Sequence, residues 1–224
     1  MKHVIAASRP GYEDLPRRLS NLTQHEFVLL TGKDALTVER LRELQPRYVF
    51  LPHWSYLIPR EIHENFECII FHMTDVPFGR GGSPLQNLVS RGIYETKVTA
   101  LKCQAELDAG PVYLKEPLSL FGSAEEIYLR AAKVIEQMIA KIVLDSPAPQ
   151  PQVGPVTAFV RRKPAESNLE GLESLEQVFD HIRMLDAEGY PHAFIQVGGF
   201  KFEFTRASFK PGEVIADVRI FRND

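Results

Sequence analysis

Three side chains in this sequence suit the movement of a proton. His72 ends the apolar run ECIIF (67–71), and His53 ends the run YVFLP (48–52). Asp108 sits in the turn Asp108-Ala109-Gly110, between two extended segments. An imidazole gains and loses a proton near neutral pH. A carboxylate beside it orients the ring, favours its protonated form, or holds a water that relays the proton. A lone histidine is more often a satisfied, partly buried residue. Two histidines at two strand exits, with an aspartate nearby in the chain, shift the balance towards catalysis. Directly after His72 runs MTDVPFGRGGSP (73–84), in which Gly79, Gly81 and Gly82 permit close backbone approach. GRGGSP has neither the P-loop spacing nor that of the dinucleotide fingerprint, and it does not follow the first strand. Ser83-Pro84 suits a helix start, with serine as cap and proline at the first helical position. Such a terminus would favour an anionic group.

These residues need a scaffold. HVIAAS (3–8), EFVLLT (26–31), YVFLP (48–52) and ECIIF (67–71) read as strands. Helical patterns lie between them, at PRRLSNL, Leu36 to Leu44 and PREIHENF. Alternation of this kind implies a mostly parallel sheet covered on both faces. In such sheets ligands bind beyond the carboxyl ends of the strands. The loops ASRPGYED, PHWSYLIP and HMTDVPFGRGGSP therefore form the functional edge. TKVTALKC (96–103) and GPVYLKEPLSL (110–120) add two extended segments, and Ser123 to Leu144 is a helix opened by a Ser123/Glu126 capping box. SPAPQPQVGP (146–155) has four prolines in ten residues and reads as a stiff linker. Beyond it, a helix over Leu172–Leu185 and the runs AFIQVGG, FKFEFTRA and EVIADVRIF predict a small α+β appendage.

With 224 residues, 44% of them apolar and 25% charged, and a net charge of −3, the composition is that of a globular protein. No stretch is long enough for a membrane-spanning helix, and MKHVIAASRP is too short and too early-polar for a signal peptide. Cys68 and Cys103 lack metal-type spacing and read as small buried hydrophobes in a reducing cytoplasm. The expectation is a cytoplasmic protein with no metal site.

His72 to Pro84 resembles the signature of the folate-dependent formyltransferases, the family that includes methionyl-tRNA and sugar N-formyltransferases. The family pattern runs Asn-x-His-x-Ser, then Leu-Pro, then Arg-Gly and Pro. Here His72, Thr74, Pro77, Arg80, Gly81 and Pro84 fall in register without a gap. LDAGPVYLKEPLSL (107–120) is similar to the Asp-x-Gly segment and supplies Asp108. FVRRKP (159–164) and IRMLDAEGYPHAF (182–194) resemble the opening of the family's C-terminal region. The resemblance implies a Rossmann-like α/β fold, a mostly parallel sheet with helices on both faces and a small α+β C-terminal appendage. It places the catalytic domain at 1–145, the linker at 146–155 and the appendage at 156–224.

The implied reaction moves a formyl group from 10-formyltetrahydrofolate to a primary amine. An attacking amine must lose a proton, and His72, oriented by Asp108, is the natural acceptor. Folate would lie against Trp54, Ser55, Tyr56, Leu57 and Ile58 and the loop with Gln104 and Glu106. Arg9, Met73, Thr74, Arg80, Gly81, Gly82 and Ser83 are the residues expected on the acceptor side. The family's oxyanion donor, an asparagine two residues before the histidine, is Ile70 here. Side chains alternate along a strand, so Ile70 shares a face with His72. Loss of one such donor costs about 3 kcal/mol. His53, as an imidazolium, and Asn87, one turn into the helix after the glycines, are the replacement candidates.

Residues 150–224 hold nine Lys/Arg against eleven Asp/Glu, the opposite of what phosphate neutralisation wants. The resemblance also implies a larger C-terminal barrel for a tRNA enzyme, no such appendage for the glycinamide ribonucleotide enzyme and a preceding regulatory domain for a deformylase. By elimination an amino sugar or its nucleotide conjugate is the expected acceptor, nucleic acid is disfavoured, and tRNA ranks second. A non-catalytic folate or sugar-nucleotide binding protein is the reading from another class, motivated by Ile70. A homodimer is left open.

Overall fold

A computed structural model describes residues 1–9 and 11–223 of the chain; Pro10, in the first strand-exit loop, lies outside them. The elements follow the alternation of the sequence. β1 (Lys2–Ala7), α1 (Leu15–Thr23), β2 (Glu26–Thr31), α2 (Val38–Leu44), β3 (Val49–Leu51), α3 (Arg60–Asn65) and β4 (Cys68–His72) come first. After them come β5 (Phe78–Gly81), α4 (Pro84–Val89), β6 (Glu95–Lys102), β7 (Val112–Ser119) and α5 (Ala124–Asp145). β8 (Thr157–Phe159), α6 (Leu175–Arg183), β9 (Ala193–Val197), β10 (Phe200–Lys210) and β11 (Glu213–Arg222) complete the chain.

The chain divides into two compact units, neither contiguous in sequence. The first comprises Met1–Arg80, Lys97–Leu118 and Ala131–Ala158; the second comprises Gly81–Thr96, Ser119–Arg130 and Phe159–Asp224. The six-stranded sheet has the order β2-β1-β3-β4-β6-β7. β1, β2, β3 and β4 run parallel, and β6 is antiparallel to β4, with His72 opposite Thr99. The chain leaves β1 to one side for β2 and then crosses to the other side for β3, so the order reverses between β1 and β3. That reversal opens the crevice in which α/β sheets bind ligands. Val4, Ile5, Val49, Phe50 and Ile69 are wholly buried. Their unbroken apolar runs are what a sheet covered on both faces requires.

α5 starts where its capping box predicts: Ser123 N donates to Glu126 Oε2 (2.8 Å) and Glu126 N to Ser123 Oγ (3.3 Å). Its stripe of Ala131, Ile135, Met138, Ile139 and Ile142 is buried, each isoleucine contributing about 2 kcal/mol. In the second unit β9, β10 and β11 form an antiparallel sheet. α6 begins with a reciprocal Ser174/Gln177 box.

β5 is the strand that the sequence hid in a loop. It has four residues, two of them glycine, and its partner β8 lies some eighty residues away in the chain. The proline-rich stretch is tied to β7 where Gln150 and Val112 exchange backbone hydrogen bonds (2.7 and 2.8 Å). Among the described residues no helix is long and apolar enough to cross a membrane, and no cluster of three His, Cys, Asp or Glu could hold a metal.

Candidate active site

The exits of β1 and β3 are latched together at the reversal point. Ser8 Oγ donates to the His53 carbonyl (2.6 Å) and accepts from Ser55 N (3.1 Å). Tyr12 Oη lies 2.5 Å from His53 Nδ1. His53 adopts a left-handed backbone (φ 47°). Desolvation, helped by the charge of Arg9, pushes its imidazole down to about 4. The ring is therefore neutral at pH 7 and accepts the tyrosine proton at Nδ1. This corrects the expectation of an imidazolium donor at His53: removal from water, beside a positive guanidinium, disfavours the charged ring. Burial also pushes the Tyr12 phenol well above its ordinary value.

At the exit of β4 the surroundings differ. His72 Nε2 lies 2.7 Å from the Gly79 carbonyl, and Thr74 Oγ1 donates to the same oxygen (3.2 Å). A carbonyl only accepts, so Nε2 carries a hydrogen, and in the neutral tautomer Nδ1 holds the lone pair. Nδ1 faces Asp108 Oδ2 at 3.5 Å, and both side chains are more than nine-tenths buried. Thr99 Oγ1 donates to the Thr74 carbonyl (2.7 Å), tying the His72 exit to β6.

Asp108 also has a left-handed backbone (φ 52°), unusual for a residue with a β-carbon. Its loop is held by a residue the sequence reading passed over. Gln152 Nε2 donates to the carbonyls of Asp108 and Gly110, both at 2.8 Å. Gln152 Oε1 accepts from Arg80 Nε (3.1 Å) and Nη2 (2.9 Å), and Arg80 Nη1 reaches Glu106 Oε1 (3.1 Å). A β-carbon on Gly110 would lie 1.8 Å from the Lys102 carbonyl, so only glycine fits there. Gln152 carried no titratable or motif signal and stood in a stretch read as linker; only its contacts reveal it.

The other expected residues are scattered in environment. Met73 (3% exposed) and Thr74 (0%) are buried, and the Thr74 hydroxyl is given to the Gly79 carbonyl. The Arg80 guanidinium is committed to Gln152 and Glu106. Within the second unit, a β-carbon on Gly81 would meet the Phe159 carbonyl at 2.3 Å, and one on Gly82 would meet Arg161 Cβ at 2.5 Å. These glycines accommodate the neighbouring strand. Ser83 accepts from Arg162 N (3.1 Å) and caps nothing, and α4 has only six residues, too few to act as an anion site. Asn87 Nδ2 lies within 3.1 Å of the carbonyls of Gly82, Ser83 and Val160, which leaves no N–H for an oxyanion. Arg9, partly buried, lies where its charge bears on both His53 and Tyr12.

On the presumed folate side, Ser55, Tyr56, Leu57, Gln104 and Glu106 are exposed. Trp54 and Ile58 pack against the apolar cluster of Val4, Val49, Leu51 and Cys68, and Ile70 joins them there. The buried Trp54 Nε1 finds no acceptor among the described residues.

Comparison with known proteins does not support the amino-sugar acceptor. Residues 164–221 match the family model for the methionyl-tRNA formyltransferase C-terminal domain. A curated methionyl-tRNA formyltransferase from Thermodesulfovibrio yellowstonii is 25% identical over 82% of the chain, and the chain spans 63% of that relative's length. A sugar N-formyltransferase from a Shewanella species matches in fold alone, with 15% identity over 87% of this chain and 92% of that one (TM-score 0.69). The amino-sugar acceptor and the exclusion of nucleic acid both fall on this finding. The charge count behind them averaged a whole segment, whereas phosphate recognition depends on where the cations stand. A solved structure described as methionyl-tRNA formyltransferase from Clostridium thermocellum is 46% identical, with 99% of each chain covered and a TM-score of 0.95. At that identity over its whole length, the chain belongs to the formyltransferase family.

Proposed function

We propose that the chain transfers a formyl group from 10-formyltetrahydrofolate to the α-amino group of methionyl-tRNA. The observation that carries the chemistry is the buried His72–Asp108 pair at the exit of β4, 3.5 Å apart. Bound 10-formyltetrahydrofolate supplies the formyl carbon. The exposed Tyr56, Leu57, Gln104 and Leu107, on loops after β3 and β6, offer a mixed apolar and polar wall that fits a pterin, and the acceptorless Trp54 Nε1 is a donor in want of a partner. An amine that becomes an amide loses one proton. With Nε2–H fixed on Gly79, His72 Nδ1 takes that proton, and the imidazolium so formed faces the Asp108 carboxylate. The same proton is then available to the donor nitrogen as its bond to the formyl carbon breaks. Ile70 itself supplies no hydrogen-bond donor on that face of β4.

In the second unit Arg91, Arg161 and Lys163 are exposed, and none has a carboxylate ion-pair partner among the described residues. Arg91 lies over the Phe159 ring (4.6 Å), which joins α4's end to the chain carrying Arg161 and Lys163. These cations suit a phosphate backbone. The two free, buried cysteines fit a reducing cytoplasm.

The test is incubation of the purified chain with 10-formyltetrahydrofolate and methionyl-tRNA, following tetrahydrofolate release and formyl incorporation into the aminoacyl ester. Transfer that falls steeply with added salt is the expected result. Release of tetrahydrofolate only with a free amino-sugar nucleotide, and none with methionyl-tRNA, would overturn the reading.

A further inference from the structure

We propose that Gln152 is a positioning residue: it holds Asp108 in the left-handed conformation that sets its carboxylate beside His72, and Arg80 fixes Gln152 for that task. The inference rests on the formyl-transfer reading of the pair, and it identifies what builds the pair.

The geometry leaves the amide one orientation. Arg80 has only donors, and two of them, Nε and Nη2, converge on one Gln152 oxygen at 3.1 and 2.9 Å. The amide nitrogen must then point the other way, where it gives its two hydrogens to the carbonyls of Asp108 and Gly110, each at 2.8 Å. Two carbonyls two residues apart are thus drawn to one point, which closes the turn that carries Asp108 at φ 52°. The turn has no freedom to slide, because Gly110 lies against the Lys102 carbonyl and Val112 is paired with Gln150 in both directions.

The same short stretch of chain positions both halves of the pair. The Gly79 carbonyl holds His72 Nε2, and the next residue, Arg80, holds Asp108 through Gln152. A shift of this stretch would move imidazole and carboxylate together. Loss of Gln152 frees only the carboxylate. This assigns Arg80 a place behind the pair, away from the acceptor, and gives the proline-rich stretch a part in the site.

The test pairs a crystal structure with steady-state kinetics of Gln152→Met, which keeps the bulk and removes both amide donors. Expected are an Asp108 backbone outside the left-handed region and a His72 Nδ1 to Asp108 Oδ2 separation well beyond 3.5 Å. A misplacement of about 1 Å predicts a fall in kcat of roughly a hundredfold, with both KM values little changed. Because Gln152 acts through Asp108, adding Gln152→Met to Asp108→Ala should change kcat less than about twofold. Should Gln152→Met fail to fold, Gln152→Glu keeps the Arg80 partnership, loses both donors, and should show the same kinetic loss. Unmoved Asp108 with wild-type kcat, or losses that multiply in the double variant, would overturn the proposal. Absence of formyl transfer in the wild-type chain would instead sink the proposed function, and the crystal structures would still decide what holds Asp108.

Discussion

The exits of β3 and β4 each present a histidine, on neighbouring parallel strands, and the protein treats the two rings in opposite ways. His53 has lost its water, gained the Tyr12 phenol as donor, and lies near the positive Arg9; its imidazole is held at about 4 and works as a neutral clasp. His72 is as thoroughly enclosed, yet a carbonyl anchors one nitrogen and a carboxylate faces the other. Burial by itself favours the neutral ring. A carboxylate at 3.5 Å gives the protonated ring somewhere to discharge its field. Position in the sheet made both residues candidates; only the second partner separates a clasp from a base.

The sharpest way to break this contrast is to remove each ring in turn. His72→Ala should lower kcat by about a thousandfold, roughly 4 kcal/mol of transition-state stabilisation. His53→Ala should leave kcat within about tenfold and appear chiefly as lost stability, since the Ser8–Tyr12–His53 latch is what it dismantles. Equal kinetic losses in the two variants would erase the distinction.

A second prediction concerns what stands beside His72. Ile70, on the same face of β4, packs with Trp54 and Ile58 on the apolar cluster and offers no hydrogen-bond donor. Neutral His53 and fully engaged Asn87 do not repair the loss by the routes expected of them. Ile70→Asn restores an N–H donor and should raise kcat by as much as a hundredfold, or about 3 kcal/mol. Its cost is a polar amide among apolar neighbours, visible as a lower denaturation midpoint. Stopped-flow measurement of tetrahydrofolate release reads the chemical step directly. An unchanged or slower step would mean that some other group already holds the oxyanion.

Much of this was legible in the residues. β2 matches EFVLLT from end to end, and α5 starts at its Ser123/Glu126 box, because alternation and capping are local physics. The places of His72 at a strand exit and Asp108 in a turn were legible from the pattern of the chain, and the fold sets their side chains 3.5 Å apart. The purpose of the glycines was not. Gly81 and Gly82 looked like space for an acceptor, and they are space for Phe159 and Arg161, nearly eighty residues on. Gln152 was invisible for the same reason: its meaning lies in Arg80, Asp108 and Gly110, all more than forty residues before it. The charge of His53 could not be read from a pattern either, since it depends on how completely water is excluded.

That last property yields the smallest effect and the cleanest check of the contrast. His53 has an ordinary value of 6.5 and about 4 in the fold. The unfolded chain therefore binds more protons than the native one between those values, and stability falls as pH drops through that window. The full contribution is present above about pH 6.5 and is lost as pH approaches 4. His3, 1% exposed and facing His25 Nδ1 at 3.0 Å, is likewise held at about 4 and adds a loss of the same sign. Between pH 7 and pH 5 each ring should cost about 2 kcal/mol. Urea denaturation at the two pH values should show a pH dependence in the wild type that is clearly shallower in His53→Phe, the remainder coming from His3 and from His181, which burial also pushes down. If the pH dependence is the same in both proteins, the His53 ring already carries its proton in the fold, and the two strand exits are more alike than their surroundings imply.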